Sequence, residues 1–430
     1  MNKNNSLTQK ERIVYVVIAA ICMVATFPGR TNGLGFITEF ILSDLHIDRT
    51  VYGYYNLAAT LIGSLFCIPA GTLLDRYGCR RTLVWILSAL GLSVLLMSMA
   101  NSHIIFVIAL MLTRGFGQSA LSVASMTLIS KYFPKEKLGM GMGLYSVLTA
   151  VFFIVAFWAM GTALTHLEPL HLSFGGGSRA VYSVTIAHWR IAWGAAGLVL
   201  FAVCVPAILL FVRRHVPATA GNDAPLPENA TPDDISFTRA LRFPVFWLFA
   251  LSIAFFGLVN SGIALYNEDI LAERGFDAQM YYFLMVLPLP FALLSNLLVG
   301  YWAHRIKITY LLAGCLFFTG LVKILFPFIQ TVPQVYAYTI TLAVSGGGLT
   351  VLFFIAWAAI FGRHDVGRIQ GVAQMLSVFA SALGPLLFAY SKEWTASYSP
   401  AFLLCGLLNL IFAFAALIIK IPHQQKNCNI

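Results

Sequence analysis

Twelve stretches of this chain are each apolar over a length that crosses a bilayer, and they follow one another from about residue 13 to about residue 420. A hydrocarbon core of about 30 Å takes about 20 helical residues, and inside it every backbone polar group needs an internal partner. Helices meet that demand. A membrane β-barrel would instead show short segments alternating apolar and polar side chains. The spans read as 13–40, 51–74, 82–100, 104–130, 139–164, 191–212, 244–268, 278–303, 308–328, 333–361, 368–390 and 400–420, giving an all-α membrane protein of twelve transmembrane helices. Only 10% of residues are charged, against roughly 25% in soluble domains, so a soluble fold is excluded. The polar start, Met1 to Arg12, runs into an apolar segment too long for a signal-peptide core, and the first helix is expected to stay in place.

The formal charge of +10 is distributed by topology. Loops alternating along the chain carry 19 Lys and Arg on one side and 5 on the other, with Arg30, Arg114 and Lys323 inside spans. Positive charge in short loops marks the cytoplasmic face, which puts both termini inside and the protein in the cell inner (plasma) membrane. This pattern forms no basic face, and no nucleic-acid partner is expected. The seven cysteines and nine histidines show no ligand spacing, so neither metal nor cofactor is expected.

Arg30 lies in Phe27-Pro28-Gly29-Arg30-Thr31-Asn32-Gly33 of the first span, and Arg114 about ten residues into the fourth. A charge at membrane depth costs at least a few kcal/mol, so such residues face protein or a wet cavity and mark a substrate path. Pro28, Gly29 and Gly33 weaken the helix around Arg30, as in the discontinuous helices that line substrate sites. Lys323 is placed near the outer end of the ninth span, within snorkelling reach of water.

The polar, Pro-rich stretch between Arg213 and Arg242 divides the chain at its midpoint, and the pattern repeats across it at an offset of 228 to 231 residues. Gly71-Thr72-Leu73-Leu74-Asp75-Arg76 ends the second span and Gly300-Tyr301-Trp302-Ala303-His304-Arg305 the eighth. Gly139 opens the fifth span and Gly367 the eleventh. The expected domains are two pseudo-symmetric six-helix bundles, 1–212 and 244–430, joined by a cytoplasmic linker at 213–243. Such a duplication suits alternating access, two bundles rocking about a site at mid-depth.

The stretch Gly71-Thr72-Leu73-Leu74-Asp75-Arg76-Tyr77-Gly78-Cys79-Arg80-Arg81 resembles the signature loop between helices two and three of the major facilitator superfamily. Nearly the whole chain shares the likeness. It implies a gating latch at Gly71, Asp75, Arg76, Gly78, Arg80 and Arg81. Asp75 could pair with Arg80, with Arg81, or with the positive N-terminus of a neighbouring helix, holding the bundles together on the cytoplasmic side. Arg114-Gly115-Phe116-Gly117-Gln118 resembles the superfamily's fourth-helix motif, with the glutamine one residue late. In related carriers that Arg is linked to substrate binding or proton coupling.

Two arginines at mid-depth with no acidic residue beside them favour an anion, held by charge-assisted hydrogen bonds. The expected activity is secondary transport of a small organic anion, a carboxylate, across the inner membrane. The substrate-binding candidates are Arg30, Arg114, Asn32, Gln118, Asn260 and Tyr266. With no titratable carboxylate in the middle of the membrane domain, exchange of one anion for another needs the fewest assumptions. The chain is similar to bacterial carriers grouped with the oxalate:formate and monocarboxylate branch, although its first span lacks the acidic-Gly-aromatic signature of the animal monocarboxylate carriers. A broad-specificity exporter of drugs or siderophores is the alternative, and 14% aromatic residues fit it. The fifth span, however, lacks the Gly-Pro motif resembling the antiporter signature. No nucleophile, metal set or acid–base pair points to an enzyme, and a monomer in the lipid bilayer is expected.

Overall fold

The computed structural model describes residues 9–133, 135–174, 182–212, 235–277, 280, 283, 284 and 286–421. Apolar continuity becomes helix throughout. The second to seventh spans run over Val51–Tyr77, Cys79–Ser98, His103–Tyr132, Lys135–His166, His188–Phe211 and Pro244–Ala272. The ninth to twelfth are Ile308–Leu325, Val332–Phe361, Val366–Thr395 and Ser399–Ile418. Eleven of the twelve spans are long and apolar enough to cross a membrane, while the eighth is described as the helix Pro288–Trp302. The expected linker falls largely on residues 213–234, outside the described residues.

The first span is discontinuous. Helix Gln9–Val24 gives way to a 3₁₀ turn at Phe27–Gly29, then to short helices Thr31–Gly35 and Thr38–Asp44. Pro28 removes a backbone donor, and Arg30 takes an extended conformation (φ −93°, ψ 151°) between the turn and the next helix. The fourth span bulges at the same level, where Arg114–Leu121 forms a π-helical segment, a distortion frequent at functional sites. Gly29 lets these two irregular stretches meet, since a Cβ there would stand 2.8 Å from the Gln118 amide nitrogen.

Large apolar side chains exposed along nearly every span, among them Trp85, Trp158 and Leu210, form the surface that lipid covers. Trp189, Trp193 and Phe106 fill the first half, and Phe246, Phe249 and Trp357 the second. Outside the spans, Leu170–Phe174 pairs antiparallel with Tyr182–Ile186 in the loop between the fifth and sixth helices. This hairpin is an addition to the all-helical expectation. Alternating apolar and polar residues on either side of Gly175-Gly176-Gly177 carry its signal in the sequence.

Charges at the end carrying this hairpin tie each half to itself. Arg190 meets Asp44 at 2.8 Å in the first half, and Lys392 meets Glu273 at 2.9 Å in the second. Burial alone would raise the Glu273 carboxyl, but Lys392, Ser397 and the Tyr398 amide outweigh it and hold the group below the usual carboxylate range.

Candidate substrate site

The two mid-depth arginines reach across to each other's span. Arg30 donates from Nε to Thr26 Oγ1 (2.6 Å) and from one Nη to Met23 Sδ (2.9 Å) and Ser122 Oγ (3.3 Å), with its guanidinium 5.4 Å from the centre of the Phe153 ring. Arg114 donates to Thr31 Oγ1 (3.0 Å), Gln118 Oε1 (2.7 Å) and, from its other Nη, Asn56 Oδ1 (2.8 Å). Thr31 adjoins Arg30, and Ser122 follows the π segment that Arg114 opens. The break in the first span and the bulge in the fourth thus present both guanidinium groups from one seam.

Every one of these partners is neutral. Among the described residues, neither arginine meets a carboxylate within 4 Å, so hydrogen bonds orient the groups while their charge stays uncancelled. Arg114 is 3% exposed and its Nε has no partner, whereas Arg30 is half-buried. A fixed positive charge in low dielectric, supported by hydroxyl and amide groups, is suited to an anion.

At the end of the second span, Asp75 forms an ion pair with Lys131 at 2.7 Å and accepts from the backbone amides of Gly367 (3.1 Å) and Arg368 (2.7 Å). Those amides open the eleventh helix, Val366–Thr395, whose unpaired N–H groups and dipole favour an anion. Of the alternatives open in the sequence, the helix N-terminus is the partner. Arg80 instead donates to the Leu209 carbonyl (2.6 Å), Arg76 lies against Tyr77, and Arg81 is exposed. Lys131, the ion-pair partner, is a residue the sequence reading missed. Gly78 takes φ +82°, a left-handed backbone that lets the third helix start directly after the second.

The halves touch closely at two pairs of glycines. A Cβ on Gly71 would run into the Gly367 carbonyl, and one on Gly139 into that of Gly300. Thr127 donates to Gln370 Oε1 (2.6 Å) and Gln370 Nε2 to Ser130 (3.1 Å), both buried, joining the fourth and eleventh spans. His304, which stands where Asp75 would in the second copy, is exposed and packs on Tyr301.

A broken first span, a π-bulged fourth and two halves clasped through a GxxxDR loop describe a carrier, and comparison decides which kind. The model of the Major Facilitator Superfamily matches residues 19–268 and again 254–429. The chain belongs to that superfamily. It is 24% identical to a probable nitrate/nitrite antiporter, NarK1, of Thermus thermophilus, over 88% of this chain and 84% of the relative. It is 23% identical to a hexuronate transporter of Bacillus subtilis (95% and 94%) and 22% to monocarboxylate transporter 13 of Bos taurus (95% and 89%). The structure of the human organic anion transporter MFSD10 superposes with a TM-score of 0.68 at 14% identity, covering 95% of this chain and 100% of that one, and shares the fold. This is therefore a multi-pass membrane protein of the superfamily, twelve helices in two bundles.

Within that superfamily frame the remaining candidates separate. Gln118 joins Arg114 directly. Asn32 and Asn260 are exposed within their spans and form no side-chain hydrogen bond among the described residues. Tyr266 lies apart, at a kink (φ −107°, ψ 16°) toward the C-terminal end of the seventh span, stacked on Tyr398 at 5.8 Å. Thr31, Asn56 and Ser122 were missed, because each meets its arginine through tertiary packing rather than a local spacing. Lys323 corrects an expectation. At 1% exposure it is enclosed in the second half and does not snorkel.

Proposed function

We propose that this superfamily member carries a small organic anion, a carboxylate, by alternating access across the cell inner membrane, with both termini cytoplasmic. Bundles 1–212 and 244–430 rock about a site in which Arg30 and Arg114 hold the carboxylate. Asn32, Gln118 and Asn260 complete its hydrogen bonds, and Tyr266 lies on the entry side. The latch of Gly71, Asp75, Arg76, Gly78, Arg80 and Arg81 keeps the cytoplasmic end shut in the state described. One observation carries the reading: two guanidinium groups at membrane depth whose partners are all neutral. The named cargoes of the relatives (nitrate and nitrite, hexuronate, monocarboxylates) are likewise anions. With no acidic residue beside the site among the described residues, exchange of anions balances charge most simply.

Uptake into proteoliposomes of labelled mono- and dicarboxylates, with and without a counter-anion inside, tests this. Arg30→Gln and Arg114→Gln should each lower uptake about 100-fold, the order expected when a desolvated charge partner is removed. Uptake that survives both substitutions, or efflux of cationic dyes that does, would overturn the anion reading in favour of an exporter.

A further inference from the structure

Lys323 is a second enclosed cation, remote in the sequence from both arginines and carried by the other half. It is 1% exposed inside the ninth span and, among the described residues, has neither a hydrogen bond nor an ion pair. Its surroundings are polar and equally unsatisfied. Thr319 Oγ1, Tyr338 OH and both side-chain polar atoms of Asn409 are buried without partners. Buried polar groups are normally paired, so several without a protein partner near one lysine mark a candidate ligand site.

Helix geometry sets Thr319 and Asn409 beside Lys323, and Tyr338 borders them through Phe326. Thr319 and Lys323 lie one turn apart on one face of the ninth helix, as Cys405 and Asn409 do on the twelfth. The two helices cross closely at Gly320 and Gly406. A Cβ on Gly320 would be 3.1 Å from Asn409 Cβ, and one on Gly406 would be 3.0 Å from Ile324 N. From the tenth span, Tyr338 packs on Phe326 at 4.9 Å, and Phe326 stacks on Phe402 at 4.1 Å. This aromatic layer lies on the side of Lys323 toward the end of the ninth helix, with the Arg274 guanidinium 5.7 Å from the Phe326 ring centre.

The chemistry that this cluster favours follows from its donor set. A lysine offers three N–H groups and no acceptor; Thr319, Tyr338 and the Asn409 amide add further donors, against one dedicated acceptor, Asn409 Oδ1. Water would satisfy some of these bonds and leave the charge. A monovalent anion satisfies both, and the burial of Thr319, Lys323 and Asn409 restricts it to a small one. We propose that Lys323, Thr319, Asn409 and Tyr338 form a binding site for a small inorganic anion, a halide such as chloride, inside the second bundle and separate from the transport path. The ion neutralises Lys323 and ties the ninth, tenth and twelfth helices together.

Equilibrium binding of ³⁶Cl⁻ to the purified full-length protein, in buffer otherwise free of halide, tests the site. Wild type should bind saturably. Lys323→Met should abolish binding, and Thr319→Val and Asn409→Leu should each weaken it about tenfold, the order of one hydrogen bond to an ion. The two milder variants keep the test decisive should Lys323→Met fail to fold. Arg30→Gln should bind chloride as wild type does, which separates this site from the proposed substrate site whether or not the latter takes carboxylates. Absence of saturable binding in wild type, unchanged binding in Thr319→Val and Asn409→Leu, or loss of binding in Arg30→Gln would each overturn the proposal.

Discussion

Replacing Asp75 with Asn should release the closed end of the carrier. The carboxylate joins three donors, the Lys131 ammonium at 2.7 Å and the amides of Gly367 and Arg368 at 3.1 and 2.7 Å, with its side chain 5% exposed. Hydrogen bonds to a charged group are worth about 1.5–3 kcal/mol each, and removing one member of a buried ion pair costs about 3–5 kcal/mol. Asparagine keeps the shape and one acceptor, and Lys131 keeps its bond to the Leu74 carbonyl (3.0 Å). Only the two amide bonds cross between the halves, and a loss of about 3 kcal/mol from them, borne by the closed state, shifts the open-to-closed ratio about 100-fold. Ser130 reports it, being fully buried beneath Gln370 in this state. In a background with the native cysteines replaced, Ser130→Cys should react with a membrane-impermeant thiol reagent about 100-fold faster once Asp75→Asn is added. Lys131→Met should act in the same direction. A change under about threefold in both, less than 1 kcal/mol, would refute the latch.

Gly139→Val should prevent the same closure by steric means, since its first side-chain atom meets the Gly300 carbonyl. Transport should fall at least about tenfold while the thermal midpoint in detergent changes little, because the contact lies between halves rather than within one. Asp365 predicts an acid-sensitive junction. Burial alone would raise its carboxyl, but His364 at 3.1 Å and the Phe237 amide at 2.8 Å hold it below its ordinary value. Its contribution is thus present above the unfolded Asp value of about 4 and lost as pH falls through the lower folded value. Thermal midpoints from pH 7 to pH 3 should drop more steeply in wild type than in Asp365→Asn, and parallel curves would contradict the assignment.

The helices were legible because apolar length is a local property, and so was the break at Pro28-Gly29, because a missing donor and a missing Cβ act where they stand. Asp75 could be picked out by its loop, yet its partners come from Lys131 and from Gly367 and Arg368, 292 and 293 residues away in the case of the amides. No spacing rule reaches that far. Gln118 illustrates the opposite case, four residues from Arg114 and readable from helical geometry, whereas Asn56 contacts the same guanidinium from 58 residues away. Lys323 was misjudged for a similar reason. Distance from a helix end says nothing about which neighbours wall a side chain in.

The paired glycines have a mechanical consequence. Gly71 against Gly367 and Gly139 against Gly300 are the same junction seen from opposite sides of the duplicated architecture, but among the described residues only the first shows a charged fastening, His304 standing in place of its aspartate. One jamb is bolted and the other merely abuts. Motion about such a frame would begin with the bare junction sliding and finish when the bolt gives way, so a symmetric blueprint would yield a door that swings from one edge.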